Sequence, residues 1–323
     1  MSELDLQSIL DFTIALAYEA GEVILAGSEA IQSVGSNVDE KKNSVDLVTE
    51  YDVKVEELVR KRISEKYPTF QFIGEESYAA GSRPEWTDLP TFVVDPIDGT
   101  TNFVHGFPYV AISLGLVYKR HSVLGVIYNP FIDYLYSGAK GLGSHLTRGG
   151  PQGKKRKLPF AQSPKTLASL SQAQIAVEWG NDRSSKPLQS RSKSFHQLAG
   201  DASVEGGKMV HALRSLGSSA LNFANVAQGG LDLYWEIGCW PWDVSAGVII
   251  AQEAGCTVTG GHQDYQATKD TPTFGDVGES ILTGRKYIVV RAIGDSPNEK
   301  GADAQKRIIG EFYNSVEDYN VSG

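Results

Sequence analysis

The apolar run Thr91–Val94 ends directly in the turn Asp95-Pro96-Ile97-Asp98-Gly99, and this junction constrains the chain more than any other segment. A short apolar run bounded by Pro and Gly is typical of a buried strand. The strand would place two carboxylates, three residues apart, on one tight turn. Because a rigid strand end presents its side chains to a cleft, we predict a functional cleft at this turn.

The oxygen atoms of this turn suit a hard cation. Asp95 and Asp98 would supply carboxylate oxygens and the carbonyl of Ile97 can add a third, which is the kind of ligand set that Mg²⁺ prefers. Gly99 lets the backbone approach a ligand closely. Thr100 adds a hydroxyl and a backbone N–H that could bind phosphate if a helix begins there. Asp-Pro and Asp-Gly are also common turn dipeptides, so a turn without any ligand is the alternative.

More carboxylates fall at the ends of other predicted elements. Glu75 and Glu76 follow the apolar run Phe70–Ile73, and Asp243 precedes the apolar helix Val244–Ala254. Four carboxylates in one cleft would repel one another and raise their own pKa values, and a pair of divalent cations removes that penalty. Two metal ions roughly 3.5–4 Å apart can bind a phosphate, activate water and stabilise the leaving oxygen. No Cys, His or Ser nucleophile with a base partner stands near these turns, which favours direct attack by water over a phosphoenzyme.

Hydrophobic periodicity predicts alternating helices and strands. The first helix is expected to cover about 25 residues from Leu6. A second begins near Thr49, because Thr49 and Asp52 resemble a capping box. The other predicted helices are Ser218–Gln228 and Ala302–Tyr313. The other predicted strands are Tyr109–Tyr118, Ser122–Tyr128, Tyr134–Ser137, Ala173–Val177, Leu231–Glu236, Thr257–Thr259, Ile281–Leu282 and Tyr287–Ala292. The segments expected at the surface are Gly149–Pro159 (a boundary or exposed hairpin), Asn181–Ser194 (a loop or short exposed helix) and Gly260–Gly278 (a loop).

Composition narrows the classes of function. The 323 residues include 30 basic and 39 acidic side chains, and the net charge of −9 disfavours nucleic-acid binding. The two cysteines, Cys239 and Cys256, form no zinc pattern and are expected to be free thiols in a reducing compartment. The acidic start is unlike a signal peptide, and no uncharged apolar run approaches the ~18 residues of a membrane span. We therefore expect a cytoplasmic protein whose partners include neither nucleic acid nor a membrane.

Three segments together resemble the inositol monophosphatase family. They are Asp95–Phe103, Gly74–Ser77 and Trp242–Val244, and they stand in the family's order at fitting separations. The resemblance implies a mixed α/β (α+β) fold, a layered αβαβα sandwich in a single domain 1–323, with halves at about 1–150 and 160–323. It also implies a homodimer and a Mg²⁺-dependent, lithium-sensitive phosphomonoesterase that hydrolyses inositol monophosphates.

The same resemblance implies a set of metal ligands. Glu75, Asp95 and the carbonyl of Ile97 would bind a first Mg²⁺. Asp95, Asp98 and Asp243 would bind a second ion. Glu75 and water would bind a weaker third ion.

Roles in catalysis and substrate binding also follow from the resemblance. Asp52 would orient Thr100, and Thr100 with Glu75 would take a proton from the attacking water. Lys41 would lie near the site. The substrate contacts that the resemblance implies are Asp98, Gly99, Thr100, Gly217, Ser218, Ser219, Glu236 and Asp243.

Other functions stay open on the sequence alone. A phosphatase of the same superfamily could act on 3′-phosphoadenosine 5′-phosphate, on a sugar phosphate such as fructose 1,6-bisphosphate, or on histidinol phosphate. The nucleotide phosphatases tend to have Asp-Gly-Thr-Lys-Gly-Phe where this chain has Asp98–Phe103, and Glu236 suits a polyol better than a base. Ser245 and Gly255-Cys256 depart from the family's usual residues without removing a metal ligand, so they affect substrate preference at most. A catalytically idle regulatory relative is the alternative of a different class, and the full set of carboxylates argues against it.

Overall fold

The computed structural model of the chain describes residues 4–34, 38–40 and 47–321. Its helices are α1 (Leu6–Val34), α2 (Glu50–Lys66), α3 (Glu75–Ala79), α4 (Thr100–His105), α5 (Ser185–Ala199), α6 (Ser219–Gln228), α7 (Pro241–Glu253), α8 (His262–Thr268), α9 (Glu279–Leu282) and α10 (Gly301–Tyr313). Its strands are β1 (Val38–Glu40), β2 (Leu47–Thr49), β3 (Gln71–Gly74), β4 (Thr91–Asp98), β5 (Ala111–Tyr118), β6 (His121–Asn129), β7 (Tyr134–Ala139), β8 (Gly143–Arg148), β9 (Lys154–Lys157), β10 (Gln174–Val177), β11 (Ala212–Arg214), β12 (Leu233–Ile237), β13 (Thr257–Thr259) and β14 (Lys286–Val290). Lys41 lies outside the described residues.

The larger sheet of the described residues has seven strands in the order β3-β4-β5-β6-β7-β8-β9. The pair β3 and β4 is parallel, and the following neighbours are antiparallel. Short connections join the strands from β5 to β9, whereas α4 lies between β4 and β5. The helices α1 and α2 cover one face of this sheet. Their apolar residues recur at helical spacing, and Ile24 and Val59 join one buried cluster with Leu114 of β5.

The smaller sheet, within the same described ranges, has the order β11-β10-β12-β14-β13. Side chains alternate between its faces, as expected for a strand. Tyr234 packs in a cluster with residues of α6, α7 and the first sheet, whereas Leu233 and Trp235 pack with residues of α10 such as Phe312. The helices α6 and α7 therefore lie between the two sheets, and α5, α8 and α10 cover the outer face. These layers confirm the expected αβαβα arrangement.

The elements differ from the sequence predictions at several places. We predicted a strand at Ile281–Leu282, but both residues belong to the short helix α9. Two apolar residues are too few to show the period of a strand or of a helix. Most of the segment Asn181–Ser194 belongs to the 15-residue helix α5. The polar side chains of Ser190, Arg191 and Ser194 in this helix are buried. The expected loop Gly260–Gly278 contains α8. The segment Gly149–Pro159 forms the predicted exposed hairpin, since β9 pairs with β8 and all four of its residues are exposed.

No helix in the described part of the chain is both long enough and apolar enough to span a lipid bilayer.

Candidate metal centre

Three predicted ligands from separate parts of the chain meet at one point. Glu75, Asp95 and Asp243 each offer a carboxylate oxygen, and these oxygens lie within 4.8 Å of one another. Glu75 is the first residue of α3, Asp95 lies in β4 and Asp243 lies in the first turn of α7. The fold therefore brings together side chains that are up to 168 residues apart in the sequence.

The turn after Val94 is an irregular part of the strand itself. We predicted that the strand would stop at Val94, but β4 continues to Asp98 and all eight of its residues are buried. Its pairing with β5 shifts register between Asp95 and Asp98, next to Pro96, which has no N–H to donate to the ladder. One Asp95 oxygen accepts a hydrogen bond from the N–H of Ile97 at 3.0 Å. The irregularity fixes the Asp95 carboxylate at the sheet edge.

Glu56, which the sequence reasoning missed, holds the start of the helix that carries Glu75. Its two oxygens accept hydrogen bonds from the N–H groups of Glu76 at 2.6 Å and Ser77 at 2.9 Å. A Cβ at Gly74 would lie 2.4 Å from the Glu56 carboxylate, so only glycine fits there. In the sequence, the glycine at position 74 is compatible with a close contact, but nothing there identifies Glu56 as the partner.

Asp243 is fixed by the start of α7. One of its oxygens accepts a hydrogen bond from the N–H of Trp240 at 2.6 Å, as an acidic residue at the third helical position does in a capping box. Pro241 begins the helix at a position where proline is favoured. We predicted that this helix begins at Val244, and its earlier start explains how Asp243 is oriented.

Asp98 is also a predicted ligand. Among the described residues, however, its carboxylate is not part of the group that Glu75, Asp95 and Asp243 form. Its oxygens accept hydrogen bonds from Ser218 Oγ at 2.5 Å, from Ala220 N at 2.7 Å and from Ser219 N at 3.3 Å. Asp98 thus fixes the N-terminal end of α6 against the turn. Its role as a metal ligand stays a prediction.

Burial raises the pKa values of the acidic groups in this centre. The pKa of Asp98 rises to about 8 and that of Asp243 to about 7, first through burial and then through neighbouring carboxylates. Burial and the charges of Glu75, Asp98 and Asp243 raise the pKa of Asp95 well above its usual range. A buried set of carboxylate oxygens at this spacing fits a hard divalent cation, which would displace the protons and offset the repulsion.

This fit predicts a pH-dependent stabilisation by Mg²⁺. The folded-state pKa values of Asp98 and Asp243 lie above their unfolded values of about 3.9, so the metal-free protein loses stability as pH rises from about 4 to about 8. Saturating Mg²⁺ should therefore raise Tm at both pH values, and the increase should be roughly 5 °C larger at pH 8 than at pH 5. Thermal unfolding with MgCl₂ or with KCl at equal ionic strength measures this difference. Equal shifts at both pH values, or equal shifts with the two salts, would count against a cation site here.

The predicted catalytic residues Thr100 and Asp52 are also close together. Thr100 Oγ1 lies 3.3 Å from one oxygen of Asp52 and 3.1 Å from the carbonyl oxygen of Ile97. The second oxygen of Asp52 accepts hydrogen bonds from the hydroxyl and the N–H of Thr49, which confirms the predicted capping box. Asp52 is therefore held by the start of α2 while it faces Thr100.

The glycine before Thr100 joins the two halves of the site. Gly99 has a φ of +96°, and a Cβ there would lie 3.0 Å from the carbonyl oxygens of Gly217 and Tyr109. Asn102 donates hydrogen bonds from its side chain to the carbonyl groups of Tyr109 and Leu216, both at 2.8 Å. The segment that precedes Gly217 is thus hydrogen-bonded to α4, which follows the Asp95–Gly99 turn and begins at Thr100 as expected.

One cavity of about 910 Å³ is lined both by the acidic residues Glu75, Asp95 and Asp243 and by the other predicted substrate residues. Ser218 and Ser219 are buried, and their hydroxyls bond to Asp98 and to Tyr234, so their contact with a substrate stays a prediction. Glu236 is also buried, and one of its oxygens accepts a hydrogen bond from the N–H of Ile237. Burial raises the pKa of Glu236 to about 8, and the guanidinium of Arg191 opposes that rise.

The chain has relatives among known proteins. The sequence profile of the Inositol monophosphatase family matches residues 5–308. The chain is 38% identical to Protein qutG of Emericella nidulans, over 97% of this chain and 94% of that protein. It is 37% identical to Inositol monophosphatase 1 of Saccharomyces cerevisiae, over 97% of each chain. A solved inositol monophosphatase from Anabaena (Nostoc) is 27% identical, with a TM-score of 0.64 over 95% of this chain and 97% of that one. The chain therefore belongs to the inositol monophosphatase family.

Proposed function

We propose that this protein is a Mg²⁺-dependent phosphomonoesterase that hydrolyses inositol monophosphates to inositol and phosphate. Membership of a generally Mg²⁺-dependent phosphatase family supports a phosphomonoesterase that acts on a small-molecule phosphate. The observation that carries the proposal is the convergence of Glu75, Asp95 and Asp243 in a cavity that is also lined by Thr100, whose hydroxyl contacts Asp52. A cytoplasmic location and a homodimeric state are part of the same proposal.

In the proposed hydrolysis, Thr100 and Glu75 would handle the proton of the attacking water, and the backbone at Gly99 and Thr100 would bind the phosphate. Thr100 has one hydroxyl proton and two acceptors, the Ile97 carbonyl and Asp52. When the Ile97 carbonyl serves as a ligand, the hydroxyl donates to Asp52. Thr100 Oγ1 can then take a proton from the attacking water while its own hydroxyl proton passes to Asp52, and the Glu75 carboxylate is the other acceptor for a water proton. Two or three divalent cations bound at the carboxylates would supply positive charge to the phosphate and lower the pKa of water. The N–H groups of Gly99 and Thr100 would bind the phosphate.

A panel of phosphate-release assays tests the substrate. We expect the highest kcat/KM with an inositol monophosphate, lower values with sugar phosphates and with 3′-phosphoadenosine 5′-phosphate, and no activity in EDTA. Preference for a nucleotide phosphate or histidinol phosphate would refute inositol monophosphates as the substrate but would still support phosphatase activity. No release from any of these compounds with Mg²⁺ would favour a catalytically idle relative.

Another polyol phosphate is the second candidate within the same reaction class. The fungal relative named above as Protein qutG is as similar to this chain as the yeast inositol monophosphatase is, and its name specifies no substrate. Adding phosphates of other cyclic polyols to the panel separates this candidate from inositol phosphates.

Lithium is expected to inhibit the reaction at millimolar concentrations. Asp95, Asp98 and Asp243 would form the second cation site, which must release its ion with the product. Their negative charge would attract a small monovalent cation of about the size of Mg²⁺ while phosphate is still bound. Inhibition should then increase with substrate concentration. Equal rates in LiCl and KCl of matched ionic strength, or relief by added substrate, would contradict this account.

A further inference from the structure

A buried ion pair lies behind the cavity wall. Arg191 of α5 places one guanidinium nitrogen 3.5 Å from an oxygen of Glu236 in β12, and both side chains are only 3% exposed. The polar segment that contains Arg191 is a surface segment by sequence, and in the structure most of it is exposed or half-buried while the Arg191 side chain is buried beside Glu236. Buried charges of this kind need several partners to compensate for lost hydration.

Arg191 has these partners on three parts of the chain. It donates hydrogen bonds to the carbonyl of Ile237 at 2.7 Å and to the carbonyl of Asp182 at 3.2 Å. A Cβ at Gly180 would lie 2.6 Å from its guanidinium, so the cavity-lining loop 178–183 packs directly on it. The guanidinium also lies over the ring of Tyr319, 5.4 Å from its centre. One side chain therefore joins β12, the loop and the C-terminal segment.

Glu236 keeps one carboxylate oxygen unused. Its Oε1 accepts the hydrogen bond of the Ile237 N–H and faces Arg191, whereas its Oε2 is buried without a hydrogen-bond partner among the described residues. Glu236 lines the cavity of the metal centre. An unmet buried acceptor at a cavity wall is where a donor of the bound substrate gains most, because leaving the oxygen unpaired is costly.

We propose that Arg191 is a positioning residue for the polyol subsite: it fixes Glu236 and the loop 178–183 so that the free oxygen of Glu236 accepts hydrogen bonds from ring hydroxyls of the substrate. This inference rests on the proposed function, since it deepens the substrate side of the same site. The planar guanidinium reaches the carbonyl groups of Ile237 and Asp182 and the carboxylate at once. A lysine ammonium is a single point on a flexible chain and cannot replace that fork.

The test compares Arg191→Met, Arg191→Lys, Glu236→Gln and the double variant Arg191→Met/Glu236→Gln with wild type. The control is Lys193→Met on the same helix, whose exposed side chain pairs with Glu317 at 3.7 Å. The substrates are inositol 1-phosphate and p-nitrophenyl phosphate, which carries no ring hydroxyl. We expect Arg191→Met and Glu236→Gln each to raise KM for inositol 1-phosphate by about 10- to 100-fold. The kcat for both substrates should stay within about threefold, and Arg191→Lys should fall between wild type and Arg191→Met.

The double variant separates positioning from a general structural role. If Arg191 acts through Glu236, adding Arg191→Met to Glu236→Gln should raise KM no further, and removing both charges should recover the Tm lost in Arg191→Met. Additive effects on KM, or equal losses on both substrates, would overturn the proposal. An unchanged KM in Arg191→Met would overturn it as well.

A crystal structure of Arg191→Met tests the positioning role of Arg191 independently of the proposed function. If wild type releases phosphate from p-nitrophenyl phosphate but from no polyol phosphate, the proposed function fails. The positioning role is then judged on the structure alone. A Glu236 carboxylate displaced from its wild-type position would support that role, and an unmoved carboxylate would refute it.

Discussion

Asp95→Asn is expected to reduce phosphate release by roughly a thousandfold or more at saturating Mg²⁺. Asp95 is the carboxylate that both predicted cation sites share, and its oxygen lies within 4.8 Å of those of Glu75 and Asp243. Removing its charge should weaken both sites together, and losing several kcal/mol of charge stabilisation corresponds to about that factor in rate. Phosphate release from inositol 1-phosphate across a MgCl₂ titration measures the effect.

The fold should survive this substitution because burial and the neighbouring carboxylates raise the pKa of Asp95 and so oppose its charge, and the amide removes that charge while keeping the shape of the side chain. Asp88→Asn is the matched control, since Asp88 is an exposed carboxylate that pairs with Arg120 away from the site. It should keep full activity. A rate for Asp95→Asn within tenfold of wild type would remove Asp95 from its bridging role.

Thr100→Val is expected to lower kcat by about 10²- to 10⁴-fold, the usual range for losing a positioned proton acceptor. Valine keeps the shape of threonine but cannot bond to Asp52 or accept a proton from water. Thr100→Ser restores the hydroxyl and should recover most of the rate. Asp52→Asn should also lower kcat, because the amide no longer accepts all the hydrogen bonds of Thr49 and Thr100.

The apparent affinity for Mg²⁺ distinguishes this effect from loss of the cation. In Thr100→Val it should change little, since the carboxylates remain in place. If Thr100→Val and Thr100→Ser were equally active, or if both lost Mg²⁺ dependence, the proton-accepting role of Thr100 would be wrong.

Local features of the site could be predicted because short-range chemistry decides them. Thr49 and Asp52 stand three residues apart, and that spacing predicts their mutual hydrogen bonds without any tertiary information. Likewise the apolar run before Asp95 predicts a strand that ends in carboxylates. The strand extends further than expected, because the register shift at Pro96 depends on pairing with β5.

Contacts between distant segments could not be predicted from the residues alone. Glu56 is an ordinary acidic residue of a helix, and its partners, the N–H groups of Glu76 and Ser77, lie on a different element. Arg191 stands in a polar, serine-rich segment, and its burial depends on β12 and the loop 178–183. The positions of Glu75, Asp95 and Asp243 at the ends of elements suggest a shared cleft, but nothing local to each turn relates it to the others, and their assignment to particular cation sites comes from the family resemblance.

Anomalous diffraction from crystals grown with MnCl₂ tests the central claim most directly. We expect one peak beside Glu75, Asp95 and the carbonyl of Ile97, and a second beside Asp95, Asp98 and Asp243, roughly 3.5–4 Å away. The same crystals of Asp95→Asn should lose both peaks. Mn²⁺ bound elsewhere in the wild type, or no peak at a concentration that supports phosphate release, would contradict a metal-dependent phosphatase centre at these residues.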